Sequence, residues 1–183
     1  LQCNQSMRQG FSFFVFLFTL SHIALSTPQN EDEYVKFEIK NAGASVEGVF
    51  ERFESTIIYD PNNPNESVFS ARIFASSINT GIELRDEHLT EKDEFFNTER
   101  FPYLTFQSTR VALLTNGKLK VEGTLTIKES SQAVVWIVTP IERGDAVFFE
   151  TSFELNRLDF DIGESSWMMA DEVICSIRAK VST

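Results

Sequence analysis

Alternation of apolar and polar residues recurs along this chain and constrains its fold more than any other feature. In residues 35–39, Val, Phe and Ile alternate with Lys and Glu, which is the period-two pattern of a strand with one buried face. The same pattern covers residues 119–127, 147–155 and 173–181, with Phe148 and Ile174 as apolar exceptions on the polar face. Together with shorter runs, it predicts at least seven strands.

Turn residues separate these runs and leave only short connections. Asn116-Gly117 is a strong hairpin signal, because both residues tolerate a positive φ, and residues 62–65 read Asn-Asn-Pro-Asn. Many short strands with tight turns predict an antiparallel barrel or sandwich. Periodicity alone does not separate these two architectures.

The N-terminal segment has the pattern of a secretory signal peptide. Met7-Arg8 precedes a Phe-rich apolar run at residues 11–20, and Ala24-Leu25-Ser26 supplies the small residues that signal peptidase accepts. We therefore expect residues 1–26 to be removed, with residues 1–6 an upstream extension of the start, and the product to be periplasmic or secreted.

Charge excludes several classes of partner. The chain has 16 basic and 27 acidic residues, and loss of the signal segment with Arg8 raises the negative charge further. Such a chain repels phosphate backbones and anionic lipid surfaces. We predict no nucleic acid partner and no stable membrane insertion.

Residues for catalysis and metal binding are scarce. After removal of the signal segment, Cys175 is the only cysteine and His88 the only histidine, so no intramolecular disulfide and no typical zinc site can form. Hydrolase, redox and phosphate-loop motifs are missing. We predict no enzyme activity, no metal and no cofactor.

A charged insert at residues 77–106 interrupts the strand pattern. It contains S-I-N-T-G at 77–81, R-D-E-H-L at 85–89, Asp93 before Phe95-Phe96, and F-P-Y-L-T-F at 101–106. This order resembles the YceI-like family of bacterial secreted proteins. The resemblance extends from about Val35 to Val181 but not to residues 128–132, where the family usually has a basic residue, Gly and a Thr-Lys element.

The resemblance implies both a fold and a function. It implies an all-β, extended antiparallel eight-stranded lipocalin-like barrel over residues 34–183, with a short helical insert around residues 82–100. It also implies a long-chain isoprenoid lipid, a polyisoprenoid or an isoprenoid quinone, or a similar apolar small molecule as the partner. The chain could also pair as a homodimer.

Small and aromatic residues are the candidate lining of such a barrel. An aromatic wall opposite a small-residue strand describes an apolar cavity, although a filled core would have the same composition. The candidate lining residues are Phe37, Phe50, Ala71, Ile73, Ala75, Phe106, Phe149 and Phe153.

Arg85, Asp86 and His88 are candidates for the barrel mouth, where they would meet the head group of a ligand. Alternatively, Asp86 pairs with Arg85 or caps the insert while His88 packs beneath it, because charged residues near turns commonly serve local hydrogen bonding. Two rival functions stay open: an enzyme that acts on a lipid or amide through Asp86 and His88, and a ligand-free, stress-related structural protein.

Overall fold

The computed structural model describes residues 32–182, so the predicted signal segment lies outside the described residues. The described part forms ten strands and one α-helix, α1 (Glu83–Glu91). The strands are β1 (Tyr34–Asn41), β2 (Ala44–Phe50), β3 (Phe53–Ile58), β4 (Val68–Phe74), β5 (Ile78–Asn79), β6 (Tyr103–Leu113), β7 (Leu119–Ile127), β8 (Ser130–Arg143), β9 (Ala146–Asn156) and β10 (Met169–Lys180).

All strand pairs are antiparallel and form one curled sheet in the order β3-β4-β6-β7-β8-β9-β10-β1-β2-β5. The alternating residues of the sequence place one face of each strand inside. On β7, for example, Leu119, Val121 and Leu125 are buried. The prediction of an all-β antiparallel barrel is confirmed.

Two bends account for the difference between the ten observed strands and the eight predicted ones. Residues Glu51 and Arg52 separate β2 from β3, and a 3-10 turn at Ala75–Ser77 separates β4 from β5. The two bends are hydrogen-bonded to each other, since Glu51 N donates to Ser77 O and Phe74 N donates to Arg52 O. The alternation of side chains continues through neither bend.

These bent strands close the sheet on itself. One bent segment consists of β2 and β3, and the other of β4 and β5. The two segments pair with each other twice, β2 with β5 and β3 with β4, while β2 also pairs with β1 and β4 with β6. Strands β3 and β5, at the two ends of the strand order, therefore belong to neighbouring segments. Counting each bent segment as one strand gives the eight strands that the family resemblance implies.

The helical insert is also confirmed. Helix α1 is followed by turns up to Arg100, and Leu89 and Phe96 pack against the core. Lys128, in the two-residue turn between β7 and β8, donates from Nζ to the backbone oxygens of Asp93 and Asp161, at 2.9 Å each. The turn at which the sequence departs from the family pattern thus ties the insert to the barrel.

Within residues 32–182, no helix combines the length and apolar character that crossing a bilayer requires.

Candidate ligand cavity

A cavity of about 240 Å³ lies inside the barrel. All ten strands contribute to its wall, as do Leu89 of α1 and the two aromatic residues Phe95 and Phe96 that follow the helix. The cavity exists because the inward positions of the strands carry aliphatic and aromatic side chains that do not fill the centre. A cavity with such a wall suits an apolar molecule.

Seven of the eight candidate lining residues border this cavity. The aromatic ones come from four strands, with Phe37 on β1 and Phe106 on β6 among them, and Ala71 and Ile73 lie together on β4. The complete set is Phe37, Phe50, Ala71, Ile73, Phe106, Phe149 and Phe153.

Ala75, the eighth candidate, does not border the cavity. Strand β4 ends at Phe74, and the 3-10 turn that follows carries Ala75 away from the face that Ala71 and Ile73 share. Ala75 is fully buried in packed core, and its backbone N donates to Pro102 O. The two-residue period that groups Ala75 with Ala71 and Ile73 in the sequence does not extend past the end of β4.

Three stacked rings form one side of the wall. Trp136 lies between Phe106 and Phe153, with ring centroids 4.3 Å apart in each pair and interplanar angles of 27° and 19°. Trp136 borders the cavity but was not among the candidate residues. Its alternation with Val134 and Val138 on β8 was the signal that could have identified it.

Further aromatic contacts support the wall of the lumen. The ring of Phe149 contacts those of Tyr59 and Phe69, with centroids 5.1 Å apart in each case. The ring of Phe96 from the insert meets that of Phe50 edge-on at 5.8 Å. The insert therefore contributes directly to the apolar wall.

Arg157 is a buried charged residue that sequence reasoning missed. Its side chain borders the cavity and is 3% exposed. The guanidinium donates to the backbone oxygens of Ala170, Ile162 and Glu164, at 2.7 to 2.9 Å, and to Asp171 Oδ1 at 3.0 Å. These bonds hold together the 3-10 turn at 157–160 and the loop before β10.

The structure separates the three candidate mouth residues. Arg85 borders the cavity, whereas Asp86 and His88 do not, and His88 is exposed. Asp86 accepts hydrogen bonds from the backbone N of Thr80, at 3.0 Å, and from the Thr80 hydroxyl. The Asp86 carboxylate thus closes the turn between β5 and α1, as the local alternative supposed, but it does so through Thr80 rather than Arg85.

Arg85 is oriented by the same threonine. Its Nε donates to Thr80 Oγ1 at 2.7 Å and its Nη2 donates to Thr80 O at 2.8 Å. Among the described residues, no carboxylate forms an ion pair with Arg85. Arg85 is therefore a cation at the cavity wall whose charge the described residues do not neutralise directly.

Cys175 borders the cavity from the middle of β10, opposite Phe37 on β1. Burial raises the pKa of its thiol to about 12. Because the thiolate is the reactive form, we expect Cys175 to react with iodoacetamide at pH 8 roughly a thousandfold more slowly than a free thiol. Mass spectrometry of a labelling time course of the protein with residues 1–26 removed checks this, and rapid labelling without unfolding would contradict it.

Comparison with known proteins identifies the family. The YceI-like domain model matches residues 27–181, so this chain belongs to the YceI-like family. Among the curated relatives, the YceI protein of Salmonella agona (strain SL483) is 29% identical over 164 residues, which cover 84% of this chain and 85% of the relative. The resemblance drawn from the insert motifs is thereby confirmed.

Solved structures agree with this fold. Burkholderia cenocepacia BcnA has a TM-score of 0.77 and 25% identity, and the match covers 82% of this chain and 96% of BcnA. The YceI protein of Campylobacter jejuni has a TM-score of 0.64 and 21% identity, covering 96% and 100%. A polyisoprenoid binding domain from Saccharophagus degradans, implicated in plant cell wall breakdown, has a TM-score of 0.62 and 12% identity, covering 80% and 91%.

Proposed function

We propose that this protein binds a long-chain apolar molecule, a polyisoprenoid or an isoprenoid quinone, inside its barrel and carries or sequesters it. The observation that carries the proposal is the cavity of about 240 Å³ walled by apolar side chains from every strand. The name of the Saccharophagus degradans domain, which has the same fold, supports the polyisoprenoid class.

Burial of the chain supplies the binding energy. Each methylene that leaves water contributes about 0.8 kcal/mol, so several isoprene units bind without any charged contact. Phe106, Trp136 and Phe153 all border the cavity, and van der Waals contact with these rings suits the double bonds of such a chain or a quinone ring. A structural protein without a ligand would be expected to fill the centre of its barrel with side chains, so the presence of the cavity weighs against that rival function.

Binding rather than catalysis fits the surroundings of Asp86 and His88. The Asp86 carboxylate is occupied by Thr80, and His88 is exposed on the helix outside the cavity. An acid–base pair must reach the same substrate atoms. These positions favour a carrier over the enzyme that the sequence also allowed.

Export and maturation belong to the same proposal. Removal of residues 1–26 would release the barrel domain into the periplasm or the medium, where its acidic charge would keep an apolar-lined carrier away from anionic membranes. N-terminal sequencing of the protein recovered from the producing cells tests this step, and retention of residues 11–20 would contradict it.

We further propose that Arg85 contacts the polar head of the ligand. Replacement of Arg85 by Met should weaken binding of a polyprenyl phosphate by about tenfold or more, because a charge-assisted hydrogen bond contributes about 1.5–3 kcal/mol. The parent polyprenol, without the phosphate, should bind nearly as before. Titration calorimetry with both ligands measures the difference.

Glu87→Gln is the matched control for Arg85→Met, because it alters the charge of a nearby exposed residue that neither borders the cavity nor bonds to Thr80. It should affect both ligands only slightly. If Arg85→Met and the unmodified protein bind the polyprenyl phosphate with equal affinity, Arg85 does not contact the head group.

Tryptophan fluorescence offers a direct test of binding. The chain has two tryptophans, Trp136 in the cavity wall and Trp167, which is 93% exposed. A Trp167→Phe variant therefore reports on the lumen alone. Decylubiquinone, whose quinone ring quenches indole emission, should quench this variant saturably with one molecule per chain, and the absence of saturable quenching would contradict the proposal.

A further inference from the structure

Two aromatic rings of the cavity wall extend over glycines on the neighbouring strands. A Cβ atom placed on Gly48 would clash with Cζ of Phe37 and lie 2.6 Å from its Cε1. A Cβ on Gly123 would lie 2.5 Å from Cε2 of Phe106. These separations are far inside van der Waals contact, so each ring occupies the space that a side chain would need.

Both glycines stand at inward-facing positions of their strands. Val46 and Phe50, two residues before and after Gly48, border the cavity, and side chains two residues apart share a face of a strand. Gly48 is also the direct cross-strand partner of Phe37. The ring of Phe37 therefore rests against the wall at Gly48 with the cavity on its other side.

Gly123 serves the aromatic stack in the same way. It lies on β7, between the strand of Phe106 and the strand of Trp136. With no side chain at Gly123, the Phe106 ring crosses β7 and stacks on Trp136 at 4.3 Å. The two glycines thus recess two rings into opposite parts of the wall.

We infer that Gly48 sets the width of the lumen by recessing the Phe37 ring, and that this width admits methyl-branched chains in preference to straight ones. The inference rests on the proposed function. A straight acyl chain has the width of a methylene group along its whole length, whereas an isoprenoid chain carries a methyl branch on each repeating unit. The space that the recessed rings leave in the lumen is therefore needed by the branched chain but not by the straight one.

Gly48 is the better of the two glycines for a test. The three atoms nearest to a Cβ at Gly48 all belong to the movable Phe37 ring, whereas at Gly123 the backbone oxygen of Gln107 lies 2.6 Å away. Gly48→Ala should therefore displace the ring toward the lumen without moving the backbone. Alanine is also favoured over glycine within a strand, which offsets part of the cost.

The experiment compares phytol with hexadecanol, alcohols of equal main-chain length that differ chiefly in the methyl branches of phytol. The affinity of each alcohol is measured by its displacement of decylubiquinone, once from the Trp167→Phe protein and once from the same protein with Gly48→Ala added. We expect Gly48→Ala to weaken the binding of phytol by about tenfold or more, in the range that overpacking produces. The binding of hexadecanol should weaken by less than about threefold. The double variant with Phe37→Leu should regain most of the phytol affinity, because the displaced ring is gone.

Equal weakening of both alcohols, or no change for either, would overturn the inference while leaving the proposed function in place. Binding of neither alcohol nor quinone to the Trp167→Phe protein would contradict the proposed function and the inference together. If Gly48→Ala does not fold, Phe37→Leu alone decides the matter. That variant should shift the preference further toward phytol, and an unchanged preference would overturn the inference.

Discussion

Replacement of Ala71 by Phe should abolish uptake of decylubiquinone while the barrel still folds. Ala71 borders the cavity from β4, beside Ser55 on β3 and Phe106 on β6. A phenyl ring there extends into free volume that the ligand needs. Overpacking a well-packed core lowers the free energy of unfolding by about 1–3 kcal/mol. Because this ring enters a cavity instead, the loss should be smaller.

Two matched Ala→Phe variants serve as controls. Ala133 on β8 is exposed and lies off the cavity, so Ala133→Phe should change neither uptake nor stability. Ala75→Phe places the ring in fully buried core and should lower the midpoint of urea unfolding. Normal quenching of Trp136 in Ala71→Phe would show that the ligand does not occupy this part of the lumen.

Replacement of Arg157 by Met should produce the largest loss of stability. The side chain is 3% exposed and donates to three backbone oxygens and to Asp171. Methionine fills similar space but leaves those acceptors without a donor, and each buried acceptor left unsatisfied costs about 1–3 kcal/mol. Urea unfolding followed by circular dichroism measures the change.

Arg100→Met is the control for this prediction. Arg100 forms an ion pair with Glu129 in which both side chains are more than 60% exposed, and such surface pairs contribute about 0–1 kcal/mol. Arg157→Lys should not restore stability, since a single ammonium group cannot reach the separate acceptors of the guanidinium. A loss at Arg157 no larger than at Arg100 would show that water replaces these hydrogen bonds.

The regular strands could be predicted because their alternation records directly which face is buried. Residues 119–127 alternate without exception, and β7 has the predicted bounds. The bends at Glu51 and at Ala75–Ser77 could not be predicted, because hydrogen bonds between two distant segments stabilise them. Ala75 lies at the second bend, where the pattern does not predict the direction of a side chain, since a period of two is meaningful only within a continuous strand.

The candidate site could be predicted only where hydrophobicity defines it. Phe37 and Phe153 could be proposed because aromatic residues at inward positions must lie near the centre of a barrel, and both border the cavity. Arg157 was missed, because its neighbours Asn156 and Leu158 give no sign that its partners are backbone oxygens brought together by the fold. Likewise, Thr80 forms hydrogen bonds with both Asp86 and Arg85 and so fixes where each side chain lies. No pattern in the sequence indicated this role of Thr80.

Native mass spectrometry of the protein after incubation with a polyprenol shows directly whether the lumen holds such a chain. We expect a complex of one polyprenol per chain that survives transfer to the gas phase, and its loss in Ala71→Phe but not in Ala133→Phe. A chain that remains free of polyprenol, or one that binds it equally well after Ala71→Phe, would contradict binding in this lumen.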